Sequence, residues 1–250
     1  MSELDVVAIV QARMTSNRLP GKVLADLGGE PVLVRVIERL RLASSIHDIT
    51  VATTSNEADD AVVQVANHLD VRWYRGSEND VLGRYCAAAA ECDADVVVRI
   101  TADCPVIDPA VVDLVTTSLI ERQKSVDLSC NTSIASFPLG LAVQALFRDV
   151  LDKIERMAVL PQDREHVLPF ATHTRPELFL CHDVVADTND SDLRLTVDYP
   201  EDLEVLRSVF EALDLGENPL PYQDIVQWLR STPEIARINQ HLKTWEPGKD

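Results

Sequence analysis

The chain has 250 residues, of which 41 are acidic and 23 are basic, giving a formal net charge of -18. This balance argues against binding to duplex nucleic acid or to an anionic membrane, because both partners require clustered cations. Five cysteines without a C-x-x-C pair argue against a disulfide framework and a zinc knuckle. No secretory signal and no apolar run of about 18 residues is visible, so we expect a cytoplasmic protein.

The first half of the chain alternates short β-branched runs with helical patterns. Strands are predicted at 5–11, 48–54, 70–76 and 95–101. Helices are predicted at 31–42, with a proline at its first position, and at 57–69, 78–92 and 108–123. Strands that alternate with helices of this length indicate βαβ crossovers and a parallel sheet covered on both faces.

The periodicity weakens after about residue 125. Further strands are predicted at 126–131, 141–147, 179–185 and 193–197. Helices are predicted at 148–157 and 163–172, followed by three that open on proline at 200–213, 221–230 and 233–242. Since no internal repeat or low-complexity linker is present, we expect a single domain over 1–250 with a helical C-terminal tail at about 213–250.

The loop after the first predicted strand carries three cations. In an open α/β sheet, ligands bind beyond the carboxyl ends of the strands, so this loop is a candidate site. Arg13 and Arg18 can each fork onto phosphate oxygens, and Lys22 adds a point charge. Thr15 and Ser16 add hydroxyls, and a tight loop offers backbone N–H groups. The pattern favours a phosphate site, and a solvated charged loop is the alternative.

A family resemblance begins in this loop. The segment IVQARMTSNRLPGKVL resembles the signature of the cytidylyltransferases that make CMP-activated sugars, most closely the spore-coat polysaccharide type. It is more distantly similar to the acylneuraminate and 3-deoxy-manno-octulosonate enzymes. Five further segments resemble family motifs in the family's order: VATTSNEADD, YRGSENDVLGRY, VVVRITADCPVIDP, REHVLPF and LRLTVDYPEDLEVLR. The resemblance runs from about residue 6 to about residue 210.

The resemblance implies both a fold and an activity. The fold would be α/β, a Rossmann-like nucleotide-diphospho-sugar transferase fold whose mostly parallel central sheet is covered by helices on both faces. The activity would be a Mg²⁺-dependent nucleotidyl transfer from CTP to a small acidic or deoxy sugar, with release of pyrophosphate. A role in surface-polysaccharide or glycoconjugate synthesis and a homodimer are also implied. A glycosyltransferase that uses a nucleotide sugar and a non-catalytic nucleotide-binding protein remain alternatives.

The resemblance also implies roles for individual residues. The expected catalytic residues are Arg13, Arg18, Lys22 and Asp103. The expected nucleotide-binding residues are Gln11, Ala12, Arg13, Met14, Ser16, Arg18, Lys22, Thr53, Arg75, Gly76, Ser77, Thr101 and Asp103, with Asp80 and Arg84 beginning the next helix. The segment expected to face the sugar contains Arg164, Glu165 and His166, of which His166 would orient the attacking hydroxyl or act as its base.

Two aspartates are expected to hold the metal ion. Asp103 follows the strand predicted at 95–101, and Asp198 ends the strand predicted at 193–197. Carboxylate and phosphate oxygens are the ligands that Mg²⁺ prefers. As structural alternatives, Asp198 could cap the helix that begins at Pro200, and Asp103 could form a turn. Ser77 could likewise be a helix N-cap, and a lone histidine such as His166 is commonly structural.

Several positions depart from the family pattern. Ala102 stands where glycine is usual before the metal aspartate, and Thr15 and Asn17 replace glycine and threonine in the phosphate loop. Leu139, Ala142 and Gln144 occupy positions where polar or acidic side chains are expected, which leaves the identity of the sugar open. Two D-x-D patterns, at 93–95 and 190–192, suggest a glycosyltransferase but are expected to be surface turns.

Overall fold

The structure is a computed structural model that describes residues 4–242. Its strands are β1 (Val6–Gln11), β2 (Asp26–Leu27), β3 (Glu30–Pro31), β4 (Asp48–Thr54), β5 (Arg72–Gly76), β6 (Val96–Thr101), β7 (Leu128–Cys130), β8 (Gln144–Phe147) and β9 (Cys181–Asp183). Within the described residues, β2 and β3 form a small hairpin, and the other seven strands form one sheet in the order β5-β4-β1-β6-β8-β7-β9.

The seven-stranded sheet is mostly parallel. Strand β8 pairs antiparallel with β6 and with β7, whereas the remaining pairs of the sheet are parallel. Strands β4, β1 and β6 lie side by side, and their carboxyl ends therefore meet at one edge. This confirms the fold class predicted from the sequence and brings the residues after positions 11, 54 and 101 together.

Helices cover both faces of the sheet. They are α1 (Val32–Leu40), α2 (Asp60–His68), α3 (Val81–Glu91), α4 (Pro109–Glu121), α5 (Arg148–Met157), α6 (Pro161–Glu165), α7 (Pro200–Leu213), α8 (Tyr222–Ser231) and α9 (Pro233–Ala236). Val6, Ala8 and Val10 of β1 face the core under α1, α4 and α7, and Val7 and Ile9 face the core under α3 and α5. Burial on both faces explains why the strand is an unbroken apolar run.

Some local predictions were wrong. Residues 193–197 form no strand and join β-structure only through an isolated bridge between Leu139 and Arg194. The helix predicted at 233–242 ends at Ala236, and that predicted at 163–172 is divided between α6 and a π-helical turn, Phe170–Thr174. Pro31 precedes α1 as its N-cap. The last part of the predicted tail, 243–250, lies outside the described residues.

No helix within residues 4–242 is both long enough and apolar enough to cross a bilayer.

A glycine allows the 193–197 segment to lie close to the sheet. Gly140 has φ +109, and a Cβ built on it would lie 2.5 Å from the backbone carbonyl atoms of Leu195. We expect Gly140→Ala to lower the free energy of unfolding by more than about 1 kcal/mol, because it combines a disfavoured φ with a backbone clash. Urea unfolding of this variant measures the loss, with Gly29→Ala as the control. Gly29 also has a positive φ, +85, but a Cβ built on it meets nothing within 4 Å. Equal losses in the two variants would disprove the close approach.

Candidate active site

The loop after β1 is shaped by its own backbone and by one buried carboxylate. Gly21 adopts φ 74, and its N–H donates to the carbonyl of Met14, which places Lys22 at the start of a short 3₁₀ turn. Asp59, which is fully buried, accepts a hydrogen bond from the Met14 N–H at 2.7 Å. The same carboxylate also accepts from the N–H of Thr54, at the end of β4. Asp59 therefore ties the loop to the neighbouring strand.

Lys22 lies between the two predicted metal ligands. Its Nζ is 2.6 Å from Oδ2 of Asp103 and 2.8 Å from Oδ1 of Asp198. The lysine is only 9% exposed, so its charge is largely sheltered from water. We call the place where Lys22, Asp103 and Asp198 meet the crevice. Residues from the first loop, from the end of β6 and from the segment before α7 thus converge at one point, as the sequence predicted.

Arg18 joins the same cluster from the solvent side. Its Nη2 donates to Oδ1 of Asp198, and its guanidinium lies 5.2 Å from the ring centroid of Tyr199. The Arg18 side chain is 41% exposed, whereas the Asp198 side chain is 12% exposed. Arg18 is therefore positioned to exchange its carboxylate partner for an incoming anion.

The segments that carry the two aspartates are joined directly. The carbonyl of Asp103 accepts hydrogen bonds from the Val197 N–H at 2.8 Å and from Oγ1 of Thr196 at 3.0 Å. The N–H of Ala102 donates to the carbonyl of Gln11, which keeps the turn against the end of β1. The separation of the two carboxylates is thus set by backbone contacts and not only by the lysine.

The electrostatics of the crevice keep its groups charged. Burial by itself raises the pKa of Asp103, but the Lys22 ammonium and hydrogen bonds from Lys22, Thr101 and Cys104 outweigh it, so the pKa lies below the ordinary value. Burial by itself lowers the pKa of Lys22, but the charges and hydrogen bonds of Asp103 and Asp198 outweigh it and raise that pKa. Both shifts have the sign expected for an ion pair that is intact at neutral pH.

The two aspartates also form a suitable donor set for a divalent ion. Their facing oxygens already converge on one cation, the Lys22 ammonium, at 2.6 and 2.8 Å. Hard carboxylate oxygens arranged in this way fit Mg²⁺, which binds through one or two carboxylates together with phosphate oxygens. Asp103 and Asp198 are therefore the residues that could hold the metal ion.

A second acidic group does not make a comparable metal site. Cys86, Asp152 and Glu155 bring their ligand atoms within 4.8 Å of one another between α3 and α5. Burial, together with the charge of Glu155, raises the pKa of the Cys86 thiol, which therefore stays protonated. Arg148 pairs with Asp152 at 2.9 Å, and Arg164 lies 3.8 Å from Glu155. The difference from the first pair of carboxylates is the protonated thiol, which is a poor ligand for a hard cation.

Arg13 lies in the same loop but has a different partner. Its Nη1 is 3.1 Å from Oε1 of Glu78, and Thr15 also donates to that oxygen. The other oxygen of Glu78 accepts from Nδ2 of Asn56 at 2.7 Å. These hydrogen bonds, led by that of Thr15, lower the pKa of Glu78. The structure therefore places Arg13 near the start of α3, on the Glu78 side of the loop.

The remaining residues predicted to bind the nucleotide line the ends of the strands. Gln11 ends β1, Thr53 lies near the end of β4, and Thr101 ends β6. The Thr101 hydroxyl contacts Sγ of Cys104 at 3.2 Å, and Oε1 of Gln11 accepts from Arg99 at 3.3 Å. Oγ1 of Thr53 is buried and has no hydrogen-bond partner. The N–H of Ala12 donates to the carbonyl of Ala52, and Ser16 Oγ accepts from Leu19.

Arg75 holds the loop after β4, and Ser77 is not the N-cap of α3. The guanidinium of Arg75 donates to the carbonyls of Thr54 and Asn56 and pairs with Asp60, so it braces the loop after β4. The N-cap of α3 is Asp80, whose side chain accepts from the Gly83 N–H, and the alternative prediction of Ser77 as the cap was wrong.

A buried arginine behind this loop has unused donors. Arg84 is 1% exposed, and its Nη1 donates to the carbonyl of Ser77 at 2.6 Å. Its Nε and Nη2 are buried without a hydrogen-bond partner among the described residues. Gly76 packs directly on this side chain, since a Cβ built there would lie 2.7 Å from Cγ of Arg84. Arg84 therefore supports the backbone between β5 and α3 from inside the protein.

The segment predicted to face the sugar is anchored by its arginine. Arg164 forms a bidentate pair with Asp80 at 2.9 and 2.8 Å and donates to the carbonyl of Ala158. It thus joins the end of α5 to the start of α3. Glu165 is exposed, and His166, the C-cap of α6, is half-buried.

The departures from the family pattern are accommodated. Non-glycine residues with positive φ within the described chain are Asp70, Asp93 and Asp214, so Ala102 carries no such strain. Gln144 accepts from Arg99 at 2.9 Å and donates to Thr132. Leu139 contributes the backbone bridge to Arg194, and Ala142 is half-buried.

The second D-x-D pattern is a brace for α8. Asp190 and Asp192 both pair with Arg230, at 2.9 and 2.6 Å. Asp190 is only 8% exposed, so its prediction as part of a surface turn was wrong, whereas Asp192 is exposed and lies in a turn.

Sequence reasoning missed the residues that support the cluster. Asp59 and Glu78 hold the first loop. Arg194 and Asp202 contact Asp198, and Asn239 in turn contacts Asp202. Asp202 carried a signal, because an acidic residue at the third position of a helix commonly accepts backbone N–H groups. The others are joined to the site by contacts between distant parts of the chain, for which a single sequence contains no local pattern.

Comparison with known proteins finds relatives that match most of the chain. A profile of the family described as cytidylyltransferase matches residues 7–224. The spore coat polysaccharide biosynthesis protein SpsF of Bacillus subtilis is 29% identical over 240 residues, which cover 93% of this chain and 97% of that protein. The structure of a cytidylyltransferase from Leptospira borgpetersenii has a TM-score of 0.90 at 30% identity, covering 98% of this chain and 100% of that chain.

A more distant solved structure has the same fold. It is the CMP:2-keto-3-deoxy-manno-octonic acid synthetase complexed with CTP, with a TM-score of 0.63 at 18% identity, covering 83% of this chain and 99% of that chain. At this identity the likeness establishes the fold alone. The profile match spans most of the chain, from β1 to the start of α8. The chain therefore belongs to the cytidylyltransferase family.

Proposed function

We propose that this protein transfers a cytidylyl group from CTP to a sugar, giving a CMP-sugar and pyrophosphate. The observation that carries the proposal is the convergence of Lys22 and Arg18 with Asp103 and Asp198 at the carboxyl ends of the strands. Cations for a triphosphate and carboxylates for its metal ion lie within one crevice. The CTP bound to the distant synthetase of the same fold supports this choice of nucleotide.

In the proposed reaction, a sugar hydroxyl oxygen attacks the α-phosphorus of CTP. A new P–O bond forms as the bond from the α-phosphorus to the bridging oxygen breaks, and pyrophosphate leaves with that electron pair. Arg13, Arg18 and Lys22 would bind the departing pyrophosphate, exchanging their present carboxylate partners for phosphate oxygens. Mg²⁺ on Asp103 and Asp198 would, when bound, neutralise the developing negative charge and align the reactants.

The nucleoside would lie on the α3 side of the loop. The support for this position is that Arg13 of the loop pairs with Glu78, which directly follows Gly76 and Ser77 at the end of β5. Arg75 would act by holding the loop after β4, since its guanidinium is committed there. Thr53 and Thr101 would line the strand ends beside the nucleotide.

The acceptor sugar would approach from the segment that contains Arg164, Glu165 and His166. Arg164 would hold this segment beside the start of α3 through Asp80, and His166 would orient the hydroxyl or accept its proton. Similarity to SpsF supports a role in surface-polysaccharide or glycoconjugate synthesis. The homodimer implied by the resemblance stays a prediction.

The test is a pyrophosphate assay with CTP, Mg²⁺ and a panel of keto-acid and deoxy sugars, with UTP, ATP and GTP in parallel reactions. We expect pyrophosphate only when CTP and an accepted sugar are both present, in equal amount to the CMP-sugar formed. Transfer from a supplied nucleotide sugar, without pyrophosphate, would instead support the glycosyltransferase alternative. Binding of CTP without pyrophosphate from any sugar would support a non-catalytic protein.

A further inference from the structure

The segment that leads into Asp198 is not a β-strand. Residues 193–197 form no ladder with the sheet, apart from the bridge at Arg194. A carboxylate at the end of a regular strand is oriented by the backbone on both sides. The backbone of the segment is held by the contacts of Thr196 and Val197 with Asp103, but the rotation of the Asp198 carboxylate depends on side-chain contacts.

The two oxygens of Asp198 have separate partners. Oδ1 faces the crevice and accepts from Lys22 at 2.8 Å and from Arg18. Oδ2 faces away from them and accepts from Nη2 of Arg194 at 3.0 Å. Arg194 thus fixes the rotation of the carboxylate and keeps Oδ1 turned toward the crevice, where its present partners are the cations Lys22 and Arg18.

Arg194 is itself rigidly held. Its Nε is 2.6 Å from Oδ1 of Asp202, and its Nη2 is 3.0 Å from Oδ2 of Asp202, a fork geometry that a lysine cannot reproduce. Its guanidinium also lies 5.6 Å from the ring centroid of Tyr199. Arg194 is 7% exposed, so these contacts are sheltered from water.

The far end of the network comes from the C-terminal residues. Nδ2 of Asn239, which is 2% exposed, donates to Oδ1 of Asp202 at 2.9 Å and to the carbonyl of Arg194 at 3.0 Å. Asp202 is fully buried and also accepts from the N–H groups of Asp198 and Tyr199. The chain of contacts therefore runs from Asn239 through Asp202 and Arg194 to Asp198.

We propose that Arg194, locked by Asp202 and Asn239, is a positioning residue that presents Oδ1 of Asp198 to the metal ion. The turn after α9 is then part of the catalytic apparatus, although it is distant in sequence from the crevice. This inference rests on the proposed function, because it assumes that Asp198 binds the divalent ion. Partners that orient a metal ligand from behind are worth roughly 10–100-fold in metal affinity or activity.

The experiment titrates the full-length protein with Mn²⁺ in the presence of CTP, with the free ion followed by electron paramagnetic resonance. We expect Arg194→Lys to weaken Mn²⁺ binding by roughly 10–100-fold and Asn239→Ala by about tenfold. CTP affinity measured in EDTA should stay within twofold of wild type, because neither residue belongs to the phosphate loop. Under turnover conditions, kcat should fall while KM for CTP changes little.

The control variant is Asn218→Ala. It removes an asparagine–aspartate hydrogen bond in the same C-terminal part of the chain, the exposed 3.0 Å contact with Asp214. We expect its Mn²⁺ affinity to match wild type. If Arg194→Lys fails to fold, Asn239→Ala decides the question.

Two results would overturn the inference in distinguishable ways. If the folded variants bind Mn²⁺ as wild type does and lose only thermal stability, Arg194 is structural and the proposed function stands. Arg194 is likewise structural if CTP affinity falls by the same factor as metal affinity. If wild type itself binds no Mn²⁺ with CTP, the proposed metal site and this inference fall together.

Discussion

Replacing Asp103 or Asp198 with asparagine is expected to reduce divalent-dependent turnover of CTP severely while the protein still folds. An amide is neutral and is a weaker ligand for a hard cation than a carboxylate. Loss of a preorganised charge at a phosphoryl-transfer site is expected to cost roughly 10²–10³ in rate, measured as pyrophosphate release. Folding should survive, because Lys22 touches both aspartates and Arg194 keeps Asp202.

Asp192→Asn provides the matched control for these variants. Asp192 lies in the same part of the chain, pairs with Arg230 at 2.6 Å and is exposed. The variant removes one carboxylate from an ion pair outside the crevice, so its rate of pyrophosphate release should equal that of wild type. Full activity in Asp103→Asn or Asp198→Asn, in a protein shown to be folded, would remove that residue from the site.

Replacing Lys22 with methionine is expected to have two opposite effects. Turnover should fall by roughly 10²–10³, because the leaving pyrophosphate loses a charge partner. Mn²⁺ binding to the nucleotide-free protein should become stronger in the variant. In the wild type the Lys22 ammonium lies between the two carboxylates and competes with the metal ion for them. Two unit charges about 4 Å apart interact by roughly 4 kcal/mol near a protein surface, so we expect a gain of at least about tenfold.

The two effects of Lys22→Met are measured separately. Pyrophosphate release gives the rate, and a Mn²⁺ titration without nucleotide at neutral pH gives the affinity. Lys124→Met, at an exposed position, is the control for loss of a positive charge on this acidic protein. Weaker Mn²⁺ binding in Lys22→Met would show that the lysine does not compete with the metal ion.

The sheet could be predicted because its central strands are buried on both faces. Unbroken Val and Ile runs occur where α-helices cover the two sides, and the lengths of the intervening helices then dictate parallel pairing. Because β1 lies between β4 and β6, the residues that follow positions 11, 54 and 101 had to lie at the same edge of the sheet. The approach of Lys22 to Asp103 could therefore be anticipated. This part of the site is a consequence of topology.

The support of Asp198 could not be predicted in the same way. The alternation in LRLTV is typical of a strand, and Leu195 and Val197 are indeed fully buried. The segment nevertheless lies over the turn after β6, where it bonds to the carbonyl of Asp103. Its β-pairing within the described residues is limited to the bridge between Arg194 and Leu139. The alternation in LRLTV therefore reflects the burial of alternate side chains and not a place in the sheet. Arg194, at a position that alternation assigns to solvent, instead makes the buried contacts with Asp202.

At the start of α3 the sequence contained the correct N-cap residue, Asp80, but also a second candidate. Asp80 lies three residues before Gly83, whose N–H it caps at 2.9 Å, and aspartate is among the strongest N-cap residues. Ser77 has the same propensity and lies nearer the end of β5, so the sequence offered two caps. The bidentate pair of Arg164 with Asp80 comes from a distant part of the chain and could not be read from either segment.

The most direct test of the proposed active site is a diffraction experiment on crystals soaked with CTP and Mn²⁺, with the metal located by its anomalous signal. We predict one manganese peak bound by Asp103 and Asp198, with Nζ of Lys22 displaced from between them onto the phosphates and the triphosphate lying along the loop of Arg13 and Arg18. A nucleotide bound on another face of the molecule, or manganese bound away from both aspartates, would contradict the proposed site.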